Sequence, residues 1–174
     1  LADSGRFAEA LRSLDTVVVI DVAMTETARQ ADYILPAATQ YEKWEATFFN
    51  FEFPENYFHL RKPLFEAPAY ALPEAEIHSR LVEAMGAMPA ELCKELNEIL
   101  EHSGRGAYRD RFMQALGEDP TLADLAPVIL YRTLGPTLPE GAAAAAVLWP
   151  VALNFAMREP GSLQRAGFEG EPME

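Results

Sequence analysis

The sequence predicts an α/β chain: a partial three-layer domain followed by a large, mostly helical C-terminal section. Three observations predict it. Val17-Val18-Val19-Ile20 and Tyr33-Ile34-Leu35 are short apolar runs separated by one turn-and-helix segment. From Glu74 onward, apolar residues recur at helical spacing. Near Pro89 the composition shifts toward helix formers, which divides the chain into an α/β region over residues 1–88 and a helical section over residues 89–174.

The elements follow in order. Phe7, Ala8, Leu11 and Leu14 fall at helical spacing after Asp3 or Ser4, either of which can cap a helix. Val17 to Ile20 is apolar on both faces and suits a buried parallel strand. Thr25 can cap a short helix from Glu26 to Ala31, whose dipole Glu26 complements. Tyr33 to Leu35, closed by Pro36, is the next strand. So short a crossover argues against direct parallel pairing of the two strands, which takes about a dozen connecting residues; the second is expected at an edge or as an extended loop. Phe48 to Pro54 is aromatic and irregular, and Pro63, Pro68 and Pro73 punctuate a long loop.

Three helices follow. Glu74 opens one with Ile77, Leu81, Val82 and Met85 on one face and Gly86 at its end. Pro89 to Glu101 places Leu92, Leu96, Ile99 and Leu100 inward, and Tyr108, Phe112, Met113 and Leu116 mark the third. Beyond Gly117, helical stretches over Thr121 to Ala126 and Pro139 to Met157 are expected to break at Pro127, Pro136 and Pro150. No internal repeat is visible.

Composition bounds the function. A net charge of -13 argues against a nucleic-acid partner, which needs clustered Lys and Arg. The longest apolar run, Ala142 to Ala152, contains Pro150 and falls short of the roughly 20 residues of a membrane span. The single cysteine, Cys93, rules out an internal disulfide and a cysteine-ligated iron–sulfur cluster held by this chain alone. It suits a reducing, cytoplasmic setting. Leu1-Ala2-Asp3 opens without targeting character, and both ends read as cuts through a longer polypeptide.

Few residues can carry chemistry. Asp21 follows a strand directly, where a carboxylate can accept hydrogen bonds from a ribose or a guanine edge, or cap its own turn. Thr25 and Thr27 flank a helix start whose free N–H groups can receive a phosphate, or they are plain caps. Asp32 and Pro36 frame the second strand and read as structural. Lys43, after Glu42, can reach a pyrophosphate or lie solvated at the surface; Trp44 can shield a ligand or fill the core. His59, His78 and His102 show no metal spacing, and Cys93 reads as a buried, inert thiol. No catalytic residue and no metal ligand emerges.

The run V-x-I-D, T-E-T-A, A-D-Y-I-L-P-A-A and Y-E-K-W, from Val17 to Trp44, resembles the large catalytic subunit of molybdopterin-dependent oxidoreductases of the DMSO reductase type, which include formate dehydrogenases and nitrate reductases. The resemblance is strongest from Val17 to about Gly86. It implies a fragment of the third domain, a Rossmann-like fold that holds the guanosine end of one molybdopterin guanine dinucleotide carrying Mo or W. It implies that Ile20 and Asp21 contact the nucleotide, that Lys43 contacts cofactor, and that an acidic residue at the next helix start does so too, with Glu76 the best match and Glu74 close to it. Thr25 joins this set through the backbone N–H groups of its helix start. Where many members carry N-x-E-G-R, this chain keeps Asn50 and Glu52 but has Phe53-Pro54 in place of Gly-Arg.

The same resemblance implies an iron–sulfur cluster in an N-terminal part outside this chain. It also implies partners in the remaining domains of the polypeptide and in electron-transfer subunits. The isolated fragment is expected to be inactive and able to self-associate through unpaired strand edges. Two other readings stand beside it. One is a non-catalytic scaffold subunit of a respiratory complex, with the same fold and no molybdenum. The other is an independent helical interaction domain, given the Ala-rich second half.

Overall fold

The computed structural model describes residues 3–47 and 58–167 and divides the chain into two compact units, Leu1–Arg80 and Leu81–Glu174. The chain is α/β, with small sheets in the first unit. The aromatic stretch from Phe48 to Pro54, including Asn50, Glu52 and Phe53-Pro54, lies outside the described residues.

The first unit opens with helix α1 (Ser4–Arg12), where the Asp3 carboxylate accepts the Arg6 N–H at 3.0 Å. Leu14 falls beyond its end, and none of its residues is buried. Strand β1 (Val18–Asp21) follows, then β2 (Tyr33–Pro36). The two pair directly and in parallel, Val18 against Tyr33 through Asp21 against Pro36, contrary to the sequence expectation. The expected Glu26–Ala31 helix is instead a three-residue 3₁₀ turn over Ala28–Gln30. A 3₁₀ turn rises about 2.0 Å per residue against about 1.5 Å in an α-helix, so fewer residues carry the chain back along the sheet. The Asp32 carboxylate closes the return by accepting the Val17 N–H at 2.8 Å. Nor is β1 buried on both faces: Val17 is buried, Val19 and Ile20 are half-buried, and Val18 is exposed.

Past β2, Ala37 bridges to Leu72 in parallel, so the lead into helix α2 (Glu74–Ala84) lies on the far side of β2 from β1. Strands β3 (Glu45–Ala46) and β4 (Leu60–Arg61) form a short antiparallel pair that the sequence did not signal. In α2, Ile77 is buried, while Leu81 is exposed; Met85, also read as inward, lies past its end and is exposed.

In the second unit every regular element among the described residues is helical. Helix α3 (Ala90–Glu118) is two helices joined at Gly104, whose φ of 79° and ψ of -176° leave helical geometry, in keeping with the two helices read from the sequence. Helix α4 (Leu122–Thr133) runs through Pro127, and α5 (Leu148–Arg158) runs through Pro150. Pro150 sits in the first turn of α5, where its missing N–H has no intrahelical partner to lose. Pro127 lies deeper, and α4 holds through its packing, with Ile129, Leu130 and Thr133 buried. Pro136 does end a helical stretch, within a 3₁₀ turn over Gly135–Thr137. The short α6 (Pro160–Arg165) follows.

The core of this unit gathers Cys93, Leu96, Tyr108, Phe112, Ile129, Leu130, Leu134 and Ala146, with Leu92, Ile99, Leu100, Leu116 and Trp149 packed around it. Met113, one of the residues that marked the third helix in the sequence, is exposed. Among the described residues, no helix is long and apolar enough to cross a membrane.

Candidate functional site

Asp21 ends β1, and its carbonyl accepts the Ala37 N–H at 3.0 Å, which fixes its backbone against the end of β2. Both of its carboxylate oxygens are engaged by the following turn. Oδ1 accepts the Ala23 N–H at 3.3 Å and Oδ2 accepts the Thr25 hydroxyl at 2.9 Å. Thr25 Oγ1 in turn accepts the N–H of Ala28, a fully buried residue, at 3.2 Å. The Thr25 N–H donates to the Ala23 carbonyl at 2.9 Å. The helix N-terminus on which a phosphate was expected to rest is therefore not formed. A three-residue turn has little dipole, and the N–H groups of Thr25 and Ala28 are already bonded inside the turn.

The other half of the site is built across β2. Ala38 donates to the Leu72 carbonyl at 2.9 Å, and Leu72 donates to the Pro36 carbonyl at 3.1 Å. This places the start of α2 beside the carboxyl end of β2. Lys43 reaches the same place from a turn over Thr39–Glu42, which the Glu42 carboxylate closes on the Thr39 N–H at 2.8 Å. The Lys43 ammonium makes a close ion pair with Glu74, the first residue of α2, and lies 3.9 Å from Glu45. Its side chain is 16% exposed, which removes it from the solvated-surface class. Glu76 is turned elsewhere: its carboxylate receives Arg80 at 2.7 Å, one helical turn on. Of the two acidic residues at this helix start, the structure brings Glu74 to Lys43.

Two further cations surround the same segment, and sequence reading missed both. The Arg61 guanidinium lies 5.3 Å from the centre of the Tyr41 ring, and its Nη2 donates to the Gln40 carbonyl. The Lys62 ammonium lies 5.8 Å from the Trp44 ring, close enough for a cation–π contact. The signal was the Tyr41/Trp44 and Arg61/Lys62 pairs, legible only once β3 is seen to pair with β4.

The strand ends thus carry the Asp21 carboxylate, bonded to the following turn through both oxygens, and the Lys43 ammonium, paired with Glu74, with Ile20 half-buried beside Asp21. This donor set suits a purine nucleotide: a carboxylate accepts from base N–H or ribose hydroxyl groups, and an ammonium pairs with phosphate. It holds no nucleophile with a base. Among the described residues no three His, Cys, Asp or Glu side chains come together to hold a metal. His59, His78 and His102 are exposed. Cys93 is buried in the second unit, and its thiol is pushed above the usual range by that burial and by Glu83, which leaves it a poor nucleophile.

The Asp21 and Lys43 groups lie at the carboxyl edge of a parallel strand pair, the edge at which open α/β sheets bind ligands. Residues 1–84 match the molybdopterin oxidoreductase family model, and the chain belongs to that family through this segment. It is 45% identical over 120 residues to the F420-dependent formate dehydrogenase 2 subunit alpha of Methanococcus maripaludis, covering 68% of this chain and 17% of that protein. It is 41% identical over 78 residues to the F420-dependent formate dehydrogenase subunit alpha of Methanocaldococcus jannaschii, covering 45% of this chain and 11% of that protein. A probable oxidoreductase of Bacillus subtilis, YoaE, is 36% identical over 83 residues, covering 48% of this chain and 12% of that protein. The chain therefore spans less than a fifth of the length of these curated relatives. No solved structure matches it.

Proposed function

We propose that this chain is the part of a molybdenum or tungsten oxidoreductase catalytic subunit that holds the guanosine end of one arm of a bis(molybdopterin guanine dinucleotide) cofactor. The single observation that carries the reading is the assembled strand edge: Asp21 at the end of β1, and Lys43 drawn to the start of α2. In it Ile20 flanks the base, Asp21 accepts its N–H groups or the ribose hydroxyls, and Lys43 faces phosphate. Glu76 stands one step along α2, with Glu74 nearer to Lys43. Residues 1–88 form a partial Rossmann-like binding region, and 89–174 a helical insertion or appendage.

The cofactor, when bound, supplies two-electron redox at its metal. This chain binds and orients it and performs no bond-making step. Formate is the substrate class we assign to the whole protein, after the formate dehydrogenase relatives. An iron–sulfur cluster in another part of the polypeptide, electron-transfer subunits and a cytoplasmic location complete the reading. A scaffold subunit of the same fold without molybdenum is the second reading, favoured by Phe53-Pro54 where Gly-Arg is common.

The test is Asp21→Ala in the complete native polypeptide, purified from a host that makes the cofactor. Guanine nucleotide released per chain is expected to fall severalfold while the unfolding midpoint holds. Nucleotide content equal to the unsubstituted protein would remove Asp21 from the site. Metal analysis alongside separates the readings: about one Mo or W per chain supports the enzyme, and neither metal nor guanine nucleotide supports the scaffold.

A further inference from the structure

We propose that Thr25 is a positioning residue for Asp21: its hydroxyl aims the Asp21 carboxylate, so that the carboxylate meets two adjacent N–H donors of a base edge as a fork. The proposal rests on the nucleotide-binding reading above. It differs from a direct phosphate grip by Thr25, whose own N–H already donates to the Ala23 carbonyl.

An aspartate at the end of a strand can choose among staggered χ1 wells with a broad χ2, and its carboxylate offers about four acceptor sites. Here the turn takes one bond on each oxygen, from Ala23 N–H to Oδ1 and from Thr25 Oγ1–H to Oδ2. One bond on each oxygen leaves acceptor capacity on both, and the two bonds from the same turn restrict the rotation of the carboxylate. The Thr25 hydroxyl has one proton, which goes to Asp21, and its oxygen accepts the Ala28 N–H. Ala28 is fully buried, so the relay is anchored in the packed interior of the turn. Thr25 is also β-branched and stiff at χ1, which a serine at this place would not be. Two neighbouring N–H donors are the pattern of a guanine edge; adenine and cytosine each place a ring acceptor there, opposite a carboxylate oxygen.

The experiment uses the complete native polypeptide from a cofactor-making host and follows loss of guanine nucleotide with time after dilution. Thr25→Val is expected to speed the loss about three- to tenfold, the scale of one ordinary net hydrogen bond, since Thr25 acts on the nucleotide only through Asp21. Thr25→Ser restores it to within about twofold, since the hydroxyl returns. In an Asp21→Ala background, Thr25→Val adds nothing, because the group through which Thr25 acts is gone. Should Thr25→Val fail to fold, Thr25→Cys, a weak donor, takes its place and is expected to fall between Ser and Val.

Two outcomes overturn the proposal while leaving the binding reading intact. In one, Thr25→Val behaves like the unsubstituted protein although Asp21→Ala loses nucleotide. In the other, Thr25→Val speeds loss equally with and without Asp21. Full retention by Asp21→Ala overturns the binding reading itself, and this proposal with it.

Discussion

At the scale of single residues, the clearest energetic statement concerns Tyr108 and Thr133. Both are buried, and the Thr133 hydroxyl donates to the Ile129 carbonyl at 2.7 Å while Tyr108 OH donates to Thr133 Oγ1 at 2.6 Å. The two deletions are therefore unequal. Thr133→Val leaves the Tyr108 hydroxyl buried with its partner gone, at a cost of ~1–3 kcal/mol, whereas Tyr108→Phe leaves Thr133 still bonded and is expected to cost ~1 kcal/mol. Denaturant titration of both variants checks the order; equal costs would show that Tyr108 finds another acceptor. Burial pushes the Tyr108 phenol up to about 12, with the Thr133 hydrogen bond offsetting part of the rise. The unfolded chain then loses this proton first as pH climbs past 10. Stability is intact below that value and falls between about 10 and 12, by up to ~1.4 kcal/mol per pH unit. Tyr108→Phe should remove that part of the alkaline decline. The candidate site shows what such residue-level reading can and cannot see. Asp21 was legible because a strand end is a local pattern. The Lys43–Glu74 pair was not, because 31 residues separate the partners and only the Ala37–Leu72 bridge brings them together.

At the scale of elements, the sequence marked strands and helices well and their connections poorly. Two β-branched or apolar runs were enough to place β1 and β2. Their pairing was misjudged because the connection was taken as too short, whereas the eleven residues between β1 and β2 come close to the dozen a parallel crossover takes, and a 3₁₀ turn leaves no periodicity to read. Pro127 and Pro150 were taken as breaks from chemistry alone, whereas position within the helix and packing around it decide the outcome. The strands β3 and β4, two residues each, are too short for any alternation to register. The join in α3 offers a direct test. Gly104 holds a φ of 79° with an extended ψ, a region open essentially to glycine. Gly104→Ala is expected to cost ~1–3 kcal/mol. Gly106→Ala, with nothing within 4 Å of an added Cβ, should be neutral or stabilising by ~0.5–1 kcal/mol. Thermal melts of the pair would expose an error if Gly106→Ala proved the more damaging.

At the scale of the whole molecule, the chain is strongly acidic and divides into two units of different make-up. The first carries the family match and the strand edge. The second carries its own apolar core and surface ion pairs, among them Arg111 with Glu95 at 2.7 and 2.9 Å and Arg132 with Glu83 at 2.7 and 3.1 Å. The 120-residue match to the Methanococcus maripaludis protein is longer than the 84 residues of the family model, so at least part of this second unit is shared with that relative. Cys93 makes its opening measurable. A thiol 8% exposed with a raised pKa reacts with a thiol reagent only when its surroundings open. Labelling is expected to be slow in native buffer and to speed up in step with denaturant unfolding. Rapid labelling of the native protein would mean that the helical unit opens locally around Cys93.

The two tryptophans of the chain fall one in each unit, Trp44 beneath the Lys62 ammonium and Trp149 at 5.8 Å from the Tyr108 ring. An indole facing a cation and an indole packed on a tyrosine in an apolar core sit in unlike electrostatic surroundings, so their emission should differ in colour and in quenching by iodide. Trp44→Phe and Trp149→Phe would each leave one lamp lit. The molecule thereby carries its own pair of optical reporters, one for the first unit and one for the helical core of the second, with no dye to attach.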